Sequence, residues 1–166
     1  MNKNLIILDW DDTLFPTSWI IKNNINIQSQ PSLNKYIILF GRLDALLSKL
    51  LKNLLNHSIV IIVTNANYKW ITTACSILPN TKTIIKKRIQ IISARDELHD
   101  IIPKNFDIYK KIIFNRIVKN IIKKNKLNNI ISIGDAEYEY QALINLYHLR
   151  KKNNLYSFFN NGFCIW

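Results

Sequence analysis

The stretch NLIILDWDDT, residues 4–13, decides the fold of this chain. Its first half is a short apolar run, which is typical of a strand buried within a parallel sheet. Asp9 and Asp11 follow that run directly, and their spacing places both carboxylates on the same side of an extended backbone. Two like charges so close repel each other unless they share a cation or a proton. The stretch therefore predicts a central strand whose carboxyl end carries a chemically active site.

Further apolar runs alternate with segments of helical periodicity along the rest of the chain. We predict the other strands at residues 59–63, 89–92, 130–133 and 155–159. We predict helices at residues 33–55, 67–78, 107–124 and 137–147. This alternation indicates an α/β fold with a Rossmann-like, mostly parallel sheet and helices on both faces.

Two details of the helices follow from single residue types. In the helix at residues 33–55 the buried face is expected to consist of leucines, namely Leu39, Leu43, Leu46, Leu47, Leu50 and Leu54. Pro79 is expected to close the helix at residues 67–78, because proline cannot continue a helix.

Length and composition indicate one globular domain spanning residues 1–166, since 48% of the residues are hydrophobic. No apolar run is long enough for a signal-peptide core or a membrane span. We therefore expect an intracellular, cytoplasmic protein with no membrane partner. Cys75 and Cys164 lack metal-ligand spacing and are expected to be reduced thiols.

The formal net charge of +12 arises from 23 Lys and Arg residues against 11 Asp and Glu residues. Such a charge favours a phosphate-rich partner such as nucleic acid. The densest basic cluster contains Lys82, Lys86, Lys87 and Arg88, and no aromatic residues alternate with it in a stacking pattern. A bias of the whole chain toward Ile, Lys and Asn accounts for the charge equally well, so nucleic-acid binding stays open.

Polar side chains follow the other predicted strands as well. Thr64 and Asn65 come after the second strand, Asp135 follows the fourth, and Lys110 opens the helix that precedes the fourth. Ligands of parallel sheets bind beyond the carboxyl ends of the strands. We therefore expect these side chains to converge with the two aspartates of the first strand.

This set of side chains suits attack on a phosphate monoester. Asp9 would be the nucleophile that forms an aspartyl-phosphate, and Asp11 would protonate the leaving oxygen and then accept a proton from water. Asp135, Asp9 and the backbone carbonyl of Asp11 would hold Mg²⁺, since a hard cation takes oxygen ligands. The phosphoryl oxygens would be bound by Thr64, Asn65 and Lys110.

The same residues resemble, in chain order, the four motifs of the haloacid dehalogenase (HAD) phosphohydrolase superfamily. The first motif, DxDxT, is matched by Asp9, Asp11 and Thr13. The second, an apolar strand that ends in Thr or Ser, is matched by the run before Thr64. The resemblance implies a HAD-type fold, a phosphatase activity, a magnesium cofactor and a supporting role for Thr13 beside the metal ligands.

The last two motifs of the superfamily lie in the second half of the chain. The third is a helical lysine, for which Lys110 is preferred over Lys111. The fourth, of GDxxxD type, is matched by Gly134, Asp135 and Glu139, with Glu in place of the last Asp. The resemblance implies that Glu139 orients the metal ligands, although a glutamate here would also simply favour the start of a helix. Four motifs in the correct order are far more specific than any one of them.

Four stretches are more narrowly similar to largely uncharacterised, capless HAD-like proteins of protists and algae: LDWDDTLFPTSW, VTNANYKWITTACSILP, ISARDELHDIIP and YKKIIF. The similarity covers roughly residues 6–149 and departs at the carboxyl end. HAD enzymes usually gain specificity from a cap, and the segments 14–58 and 66–109 leave no room for one. We therefore expect an open site that takes a small phosphate ester or a macromolecular substrate, such as a phosphoprotein or a nucleic-acid end.

Three alternatives share parts of this pattern. The first is a catalytically inactive HAD-fold module that binds nucleic acid or protein, although its carboxylates would be expected to be lost. The second is a receiver domain, whose acceptor Asp follows the third strand rather than the first. The third is a phosphotransferase, in which another nucleophile replaces water.

Other polar and aromatic residues near the first motif are expected to have structural roles. Asp12 is predicted to be solvated or to cap a helix. Trp10, Trp19 and Trp70 are predicted to pack in the core, and the first two also flank the nucleophile closely enough to line the entrance of a pocket.

Overall fold

The computed structural model of the protein describes residues 2–103, 105–152 and 164–165. The strands are β1 Asn2–Leu8, β2 Ser58–Thr64, β3 Gln90–Ser93, β4 Lys126–Ile133 and β5 Cys164–Ile165. The helices are α1 Thr17–Lys22, α2 Gln30–Asn34, α3 Ile37–His57, α4 Tyr68–Ser76, α5 Pro79–Arg88, α6 Ala94–Leu98, α7 Phe106–Ile122 and α8 Glu137–Lys152.

The strands form one parallel sheet in the order β3-β2-β1-β4-β5. β1 lies in the centre, and its last residue, Leu8, is in register with Ile62 of β2 and Ile133 of β4. The carboxyl ends of β1, β2 and β4 therefore lie at the same edge of the sheet. The predicted α/β class, the parallel sheet and the first four strands are confirmed.

The core divides into two layers, one on each face of the sheet. The side chains of β1 alternate between them: Leu5 and Ile7 face one layer, and Ile6 and Leu8 face the other. One layer contains α3, α4 and α5, represented by Leu51, Ile71 and Ile85. The other contains α7 and α8, represented by Ile113, Phe114 and Leu143. Strands covered on both faces explain why the predicted runs are apolar without interruption.

The predicted buried face of the long helix is partly wrong. Leu39, Leu46 and Leu50 of α3 are exposed, and Leu46 is 68% exposed. The buried positions are instead Phe40, Asp44, Leu47, Ser48 and Leu51. Leucines occur around most of this helix, so their periodicity does not select a face. Asp44 is buried because backbone N–H groups of α5 donate hydrogen bonds to its carboxylate.

The role predicted for Pro79 is also wrong. α4 ends at Ser76, and Pro79 is the first residue of α5, a helix that was not predicted. Proline suits the first position of a helix, because its missing N–H has no partner to bind there. The short helices α1, α2 and α6 were not predicted either. The strand predicted at residues 155–159 lies outside the described residues, and β5 pairs with β4 at Cys164 and Ile165.

The two segments in which a cap could be inserted consist mainly of helices. Between β1 and β2 lie α1, α2 and α3, and between β2 and α7 lie α4, α5, β3 and α6. Since β3 joins the main sheet, neither segment builds a second sheet within its described residues. No helix in the described part of the chain is both long and apolar enough to cross a membrane.

Candidate active site

Asp9 lies where the central strand leaves the sheet. Its backbone N–H donates to the carbonyl oxygen of Ile133 at 2.9 Å, which extends the pairing of β1 and β4 by one residue. The residue is only 6% exposed. Asp135 follows the end of β4 by two residues, and its side chain is exposed. Asp9 and Asp135, the two predicted metal ligands that would bind through their carboxylates, therefore follow neighbouring strands at the same sheet edge.

Lys110 brings a cation from α7 to this edge. Its Nζ donates to Oδ1 of Asp9 at 2.5 Å and also to Oε1 of Glu139. The three side chains are buried, and that of Lys110 is 2% exposed. The neighbouring Lys111 is only partly buried. The contact with Asp9 thus agrees with the choice of Lys110 as the lysine of the third motif.

The environment of Asp9 raises the pKa of its carboxyl to about 6. Burial is the largest cause, because desolvation disfavours the charged form. Attraction to Lys110 lowers the pKa and offsets burial in part, whereas the nearby Glu139 raises it again. A further cation beside Asp9 would therefore stabilise the ionised carboxylate.

The donor set at this edge fits a magnesium ion by its chemistry. The carboxylates of Asp9 and Asp135 and the backbone carbonyl of Asp11 are all hard oxygen ligands. No cluster of three or more His, Cys, Asp or Glu side chains suited to a metal ion occurs among the described residues. A magnesium ion at this edge would therefore take at most two carboxylates and one main-chain carbonyl from the predicted residues, with the remaining ligands left to water or substrate.

Asp11 is held by three side-chain donors. Its Oδ1 accepts from Thr17 Oγ1 at 2.5 Å and from Trp70 Nε1 at 2.9 Å, and its Oδ2 accepts from Thr64 Oγ1 at 3.3 Å. A carboxylate has about four acceptor positions, so at least one oxygen can still exchange a proton with a ligand. The orientation of the carboxylate is set by these contacts.

Thr64 is fully buried at the end of β2 and bonds within the protein. Its hydroxyl accepts from the N–H of Ala66 at 2.9 Å besides donating to Asp11. Its predicted contact with a phosphoryl oxygen stays a prediction. The hydrogen bond from Thr64 to Asp11 shows that Thr64 lies at the candidate site.

Asn65 and Thr13 are the two predicted site residues with a buried polar atom that lacks a partner. Oδ1 of Asn65 and Oγ1 of Thr13 have no hydrogen-bond partner within the described part of the chain. Buried polar atoms are normally hydrogen-bonded, because an unmade bond costs free energy. Both atoms therefore have bonding capacity left for a bound group.

Glu139 packs tightly against the turn that follows β4. Its Oε2 accepts from the N–H of Ala136 at 3.2 Å, while Oε1 accepts from Lys110. A Cβ on Gly134 would lie 2.2 Å from Cγ of Glu139, so only glycine fits there without displacing the glutamate. The fourth motif thus joins the turn to Lys110, in agreement with a supporting role for Glu139.

Two partners of Asp11 were not predicted from the sequence. Thr17 begins α1, and no motif marks it. Trp70 was interpreted as a packing residue, yet its indole N–H reaches Asp11 while its ring packs edge-on against Phe15. The sequence offered one weak indication of where Trp70 lies. Asn67 is a typical helix-capping residue, and its side chain caps α4 by accepting from the N–H of Trp70 at 2.7 Å.

The other residues near the first motif have structural contacts. Trp10 is fully buried and stacks on Phe15, with 5.7 Å between the ring centroids, so it does not line an entrance. Asp12 has φ of 54° and accepts from the N–H of Ser18 at 2.8 Å, which caps the first turn of α1. Trp19 packs against Tyr36.

No family model and no curated protein sequence matches the chain. In structure the chain is similar to the HAD domain of the effector protein Lem4 from Legionella pneumophila, with a TM-score of 0.52, 11% identity, and coverage of 99% of this chain and 85% of that one. An inactive mutant of the same domain matches with a TM-score of 0.51, 11% identity, and coverage of 100% and 86%. At this identity the similarity establishes a HAD-like fold.

Proposed function

We propose that this chain is a magnesium-dependent phosphomonoester hydrolase that works through an aspartyl-phosphate on Asp9. The observation that carries the proposal is the pairing of buried Asp9 with buried Lys110 at the sheet edge, next to an oriented Asp11. A structural protein gains little from such a pair, because removing two charges from water costs as much as their attraction returns. The HAD-like fold agrees with this chemistry.

Asp9 is the nucleophile of the proposed reaction. One of its carboxylate oxygens forms a bond to phosphorus while the bond from phosphorus to the ester oxygen breaks. The ammonium of Lys110, which already lies 2.5 Å from Asp9, offsets the negative charge of the phosphoryl group as it approaches. Asp9, Asp135 and the carbonyl of Asp11 would hold a magnesium ion, which would supply further charge neutralisation.

Asp11 transfers a proton in both half-reactions. It first donates a proton to the ester oxygen, which leaves as an alcohol, and then accepts a proton from the water that attacks the aspartyl-phosphate. Thr17, Thr64 and Trp70 hold the carboxylate in one orientation for both transfers. The second transfer releases inorganic phosphate and restores Asp9.

The described residues form one sheet, and none of them builds a second sheet over the site of the proposed hydrolase. We propose that the hydrolase acts either on small phosphate esters or on phosphorylated macromolecules. The formal net charge of +12 would attract either, and the exposed Lys86, Lys87 and Arg88 at the end of α5 contribute to it. We place the reaction in the cytoplasm, where magnesium and phosphorylated substrates are abundant.

The test is release of phosphate from p-nitrophenyl phosphate by the purified protein, with magnesium and with excess chelator. We expect release that requires magnesium and falls by at least about a thousandfold in Asp9→Asn, which keeps the size of the side chain but removes the nucleophile. Asp100→Asn, which changes an exposed carboxylate in the same way, serves as the matched control and should retain wild-type activity. Activity that survives in Asp9→Asn or in chelator would refute the proposal. A folded protein that binds magnesium but releases no phosphate would favour an inactive binding module instead.

A further inference from the structure

A cavity of about 600 Å³, largely open to solvent, lies between the segment that follows α1 and the first turns of α4. Trp70 lines this cavity, and its Nε1 donates to Asp11 at 2.9 Å. The side chain of Trp70 therefore connects the cavity to Asp11, the carboxylate that donates the proton in the proposed reaction. The volume falls within the range of cavities that hold small organic ligands.

The lining of the cavity is mostly apolar. Its apolar lining residues are Ile20, Ile21, Ile25, Ile27 and Trp70, of which Ile21 is the most exposed. Four amide side chains provide neutral donors and acceptors, and Lys69 is the one charged residue among the described residues of the lining. None of these described lining residues carries a carboxylate, so none of them would offset the positive charge of a cationic ligand.

The wall of the cavity opposite α4 consists of residues 24–28, and contacts within the protein hold it in place without a ligand. Ile25 and Ile27 are buried in the hydrophobic core, which anchors this wall at two points. Asn24 has φ of 51°, a left-handed turn that the N–H of Ile25 closes by bonding to the carbonyl of Ile20 at 3.0 Å. Asn26 Oδ1 accepts from the N–H of Gln28 at 2.9 Å. A wall held in this way costs a ligand little ordering free energy.

The proposed chemistry decides which part of a substrate lies here. Asp11 protonates the ester oxygen, so the organic group attached to that oxygen must extend past Asp11 and away from Asp9. Trp70 is a direct neighbour of Asp11, and the cavity lies beside it.

We propose that this cavity is the leaving-group subsite of the hydrolase, a role that rests on the proposed function. It takes the organic portion of a phosphate monoester that is largely apolar and neutral or anionic. Ile21 and Trp70 provide most of the apolar contact, and Lys69 attracts a negative group at the far end of the ligand. Esters of cationic alcohols are selected against, because the described lining offers them a like charge and no carboxylate.

The first experiment measures size selection. Phenyl phosphate and 1-naphthyl phosphate have leaving groups of similar acidity, so their kcat/KM ratio reports contact with the leaving group. We expect the wild type to prefer the naphthyl ester by about tenfold, the gain from burying one additional ring in part. Ile21→Asp, at a cavity position that is 66% exposed and therefore tolerant in folding, should bring the ratio close to one. Ile38→Asp, at an exposed isoleucine of α3 outside the cavity, is the matched control and should keep the wild-type ratio.

The second experiment measures charge selection. Phenyl phosphates with a carboxylate or a trimethylammonium group at the para position are each compared between proteins, so that the leaving-group acidity of each ester cancels. Lys69→Glu should lower kcat/KM for the carboxylate ester by about tenfold and raise it for the trimethylammonium ester. Lys87→Glu makes the same charge change on α5, away from the cavity, and should shift both esters by less than about twofold.

The outcomes separate this inference from the proposed function. An active wild type whose size and charge preferences are unchanged in Ile21→Asp and Lys69→Glu would overturn the leaving-group subsite and leave the hydrolase intact. A wild type that releases no phosphate from any of the four esters would overturn the proposed function, and the subsite with it. Loss of both preferences in the cavity variants, with the controls unchanged, establishes the subsite.

Discussion

The ammonium of Lys110 lies 2.5 Å from Oδ1 of Asp9, in a place where both side chains are almost completely removed from solvent. Glu139 contacts the same ammonium, so one buried cation faces two buried carboxylates. The cluster has a net negative charge when all three groups are ionised. Its stability should therefore depend on any change that alters this balance.

Removing the cation from this cluster should strongly destabilise the fold. We expect Lys110→Met to lower the free energy of unfolding by about 3–5 kcal/mol, because two buried carboxylates lose their partner. Lys111→Met makes the same change at the next residue of α7 and should cost less than about 1 kcal/mol. Urea unfolding of both variants at pH 7 measures the difference. Equal free energies of unfolding for the two variants would contradict the assignment of Lys110 to the cluster.

Asp9→Asn should stabilise the metal-free protein at neutral pH. Burial raises the pKa of Asp9 from 3.8 to about 6, so the folded chain binds this proton more tightly than the unfolded chain does. The contribution of Asp9 to stability is then complete below pH 4 and is lost as the pH rises to about 6. Asparagine cannot ionise, so the variant should exceed the wild type by up to about 3 kcal/mol at pH 7.

Thermal unfolding in chelator between pH 4 and pH 8 measures this gain. The difference in Tm between Asp9→Asn and the wild type should grow from pH 4 to pH 6 and then level off. Magnesium should raise the Tm of the wild type and leave that of the variant nearly unchanged, because a bound cation favours the ionised carboxylate. A difference in Tm that is independent of pH would show that the ionisation of Asp9 does not limit stability.

Asp44 of α3 should contribute to stability through the start of α5. Its carboxylate accepts from the N–H groups of Asn80 at 3.0 Å and Thr81 at 2.8 Å. Asp44→Ala should lower the free energy of unfolding by about 1–2 kcal/mol, as expected for the loss of a helix cap. The exposed Asp100 provides the control, since Asp100→Ala should change the free energy of unfolding by less than about 0.5 kcal/mol.

The contribution of Asp44 should disappear in acid. Burial raises the pKa of this carboxyl, but the hydrogen bonds from Thr81 and Asn80 outweigh burial and hold the pKa below its ordinary value. The stabilisation is therefore present above the unfolded pKa of about 4 and is lost as the pH falls below it. In urea unfolding, the difference between Asp44→Ala and the wild type should shrink below pH 4. A difference that persists unchanged in acid would exclude the charged form as its source.

Gly41 and Gly134 should respond in opposite ways to substitution by alanine. Gly134→Ala should destabilise by about 1–3 kcal/mol, because its Cβ would lie 2.2 Å from Cγ of Glu139. Gly41 lies within α3, and a Cβ added there would have nothing within 4 Å, so Gly41→Ala should stabilise by about 0.5–1 kcal/mol. In the background of Glu139→Ala, the cost of Gly134→Ala in urea unfolding should fall sharply. An unchanged cost in that background would mean that Glu139 is not the obstacle.

The first four strands and the chain order of the site were predictable, because both depend on local patterns. The part of a parallel strand that is covered on two faces is apolar, so residues 5–8 of β1 and residues 59–63 of β2 stand out as continuous runs of Leu, Ile and Val. Parallel neighbours end at the same edge, so the residues after those runs were expected to meet there. Hydrogen bonds join Asp9 to Lys110 and Asp11 to Thr64, as this argument requires.

The helices were less predictable, because packing partners override periodicity. α3 carries leucines around most of its circumference, and its contacts with the sheet and with α5 select Phe40, Leu47 and Leu51 for burial. Pro79 was taken as the end of one helix, yet it begins the next. A proline marks a boundary between elements, and its sequence neighbours do not reveal on which side of it the helix lies.

Local sequence thus dictated the parallel sheet, the two carboxylates after its central strand and the order of the motifs, since each depends on residues that are adjacent or alternate along the backbone. The folded chain settled which side chains reach those carboxylates: Lys110 lies 101 positions from Asp9, and Trp70 lies 59 positions from Asp11. Contacts over such separations depend on how helices pack on the sheet, and no period of 2 or 3.6 residues encodes them.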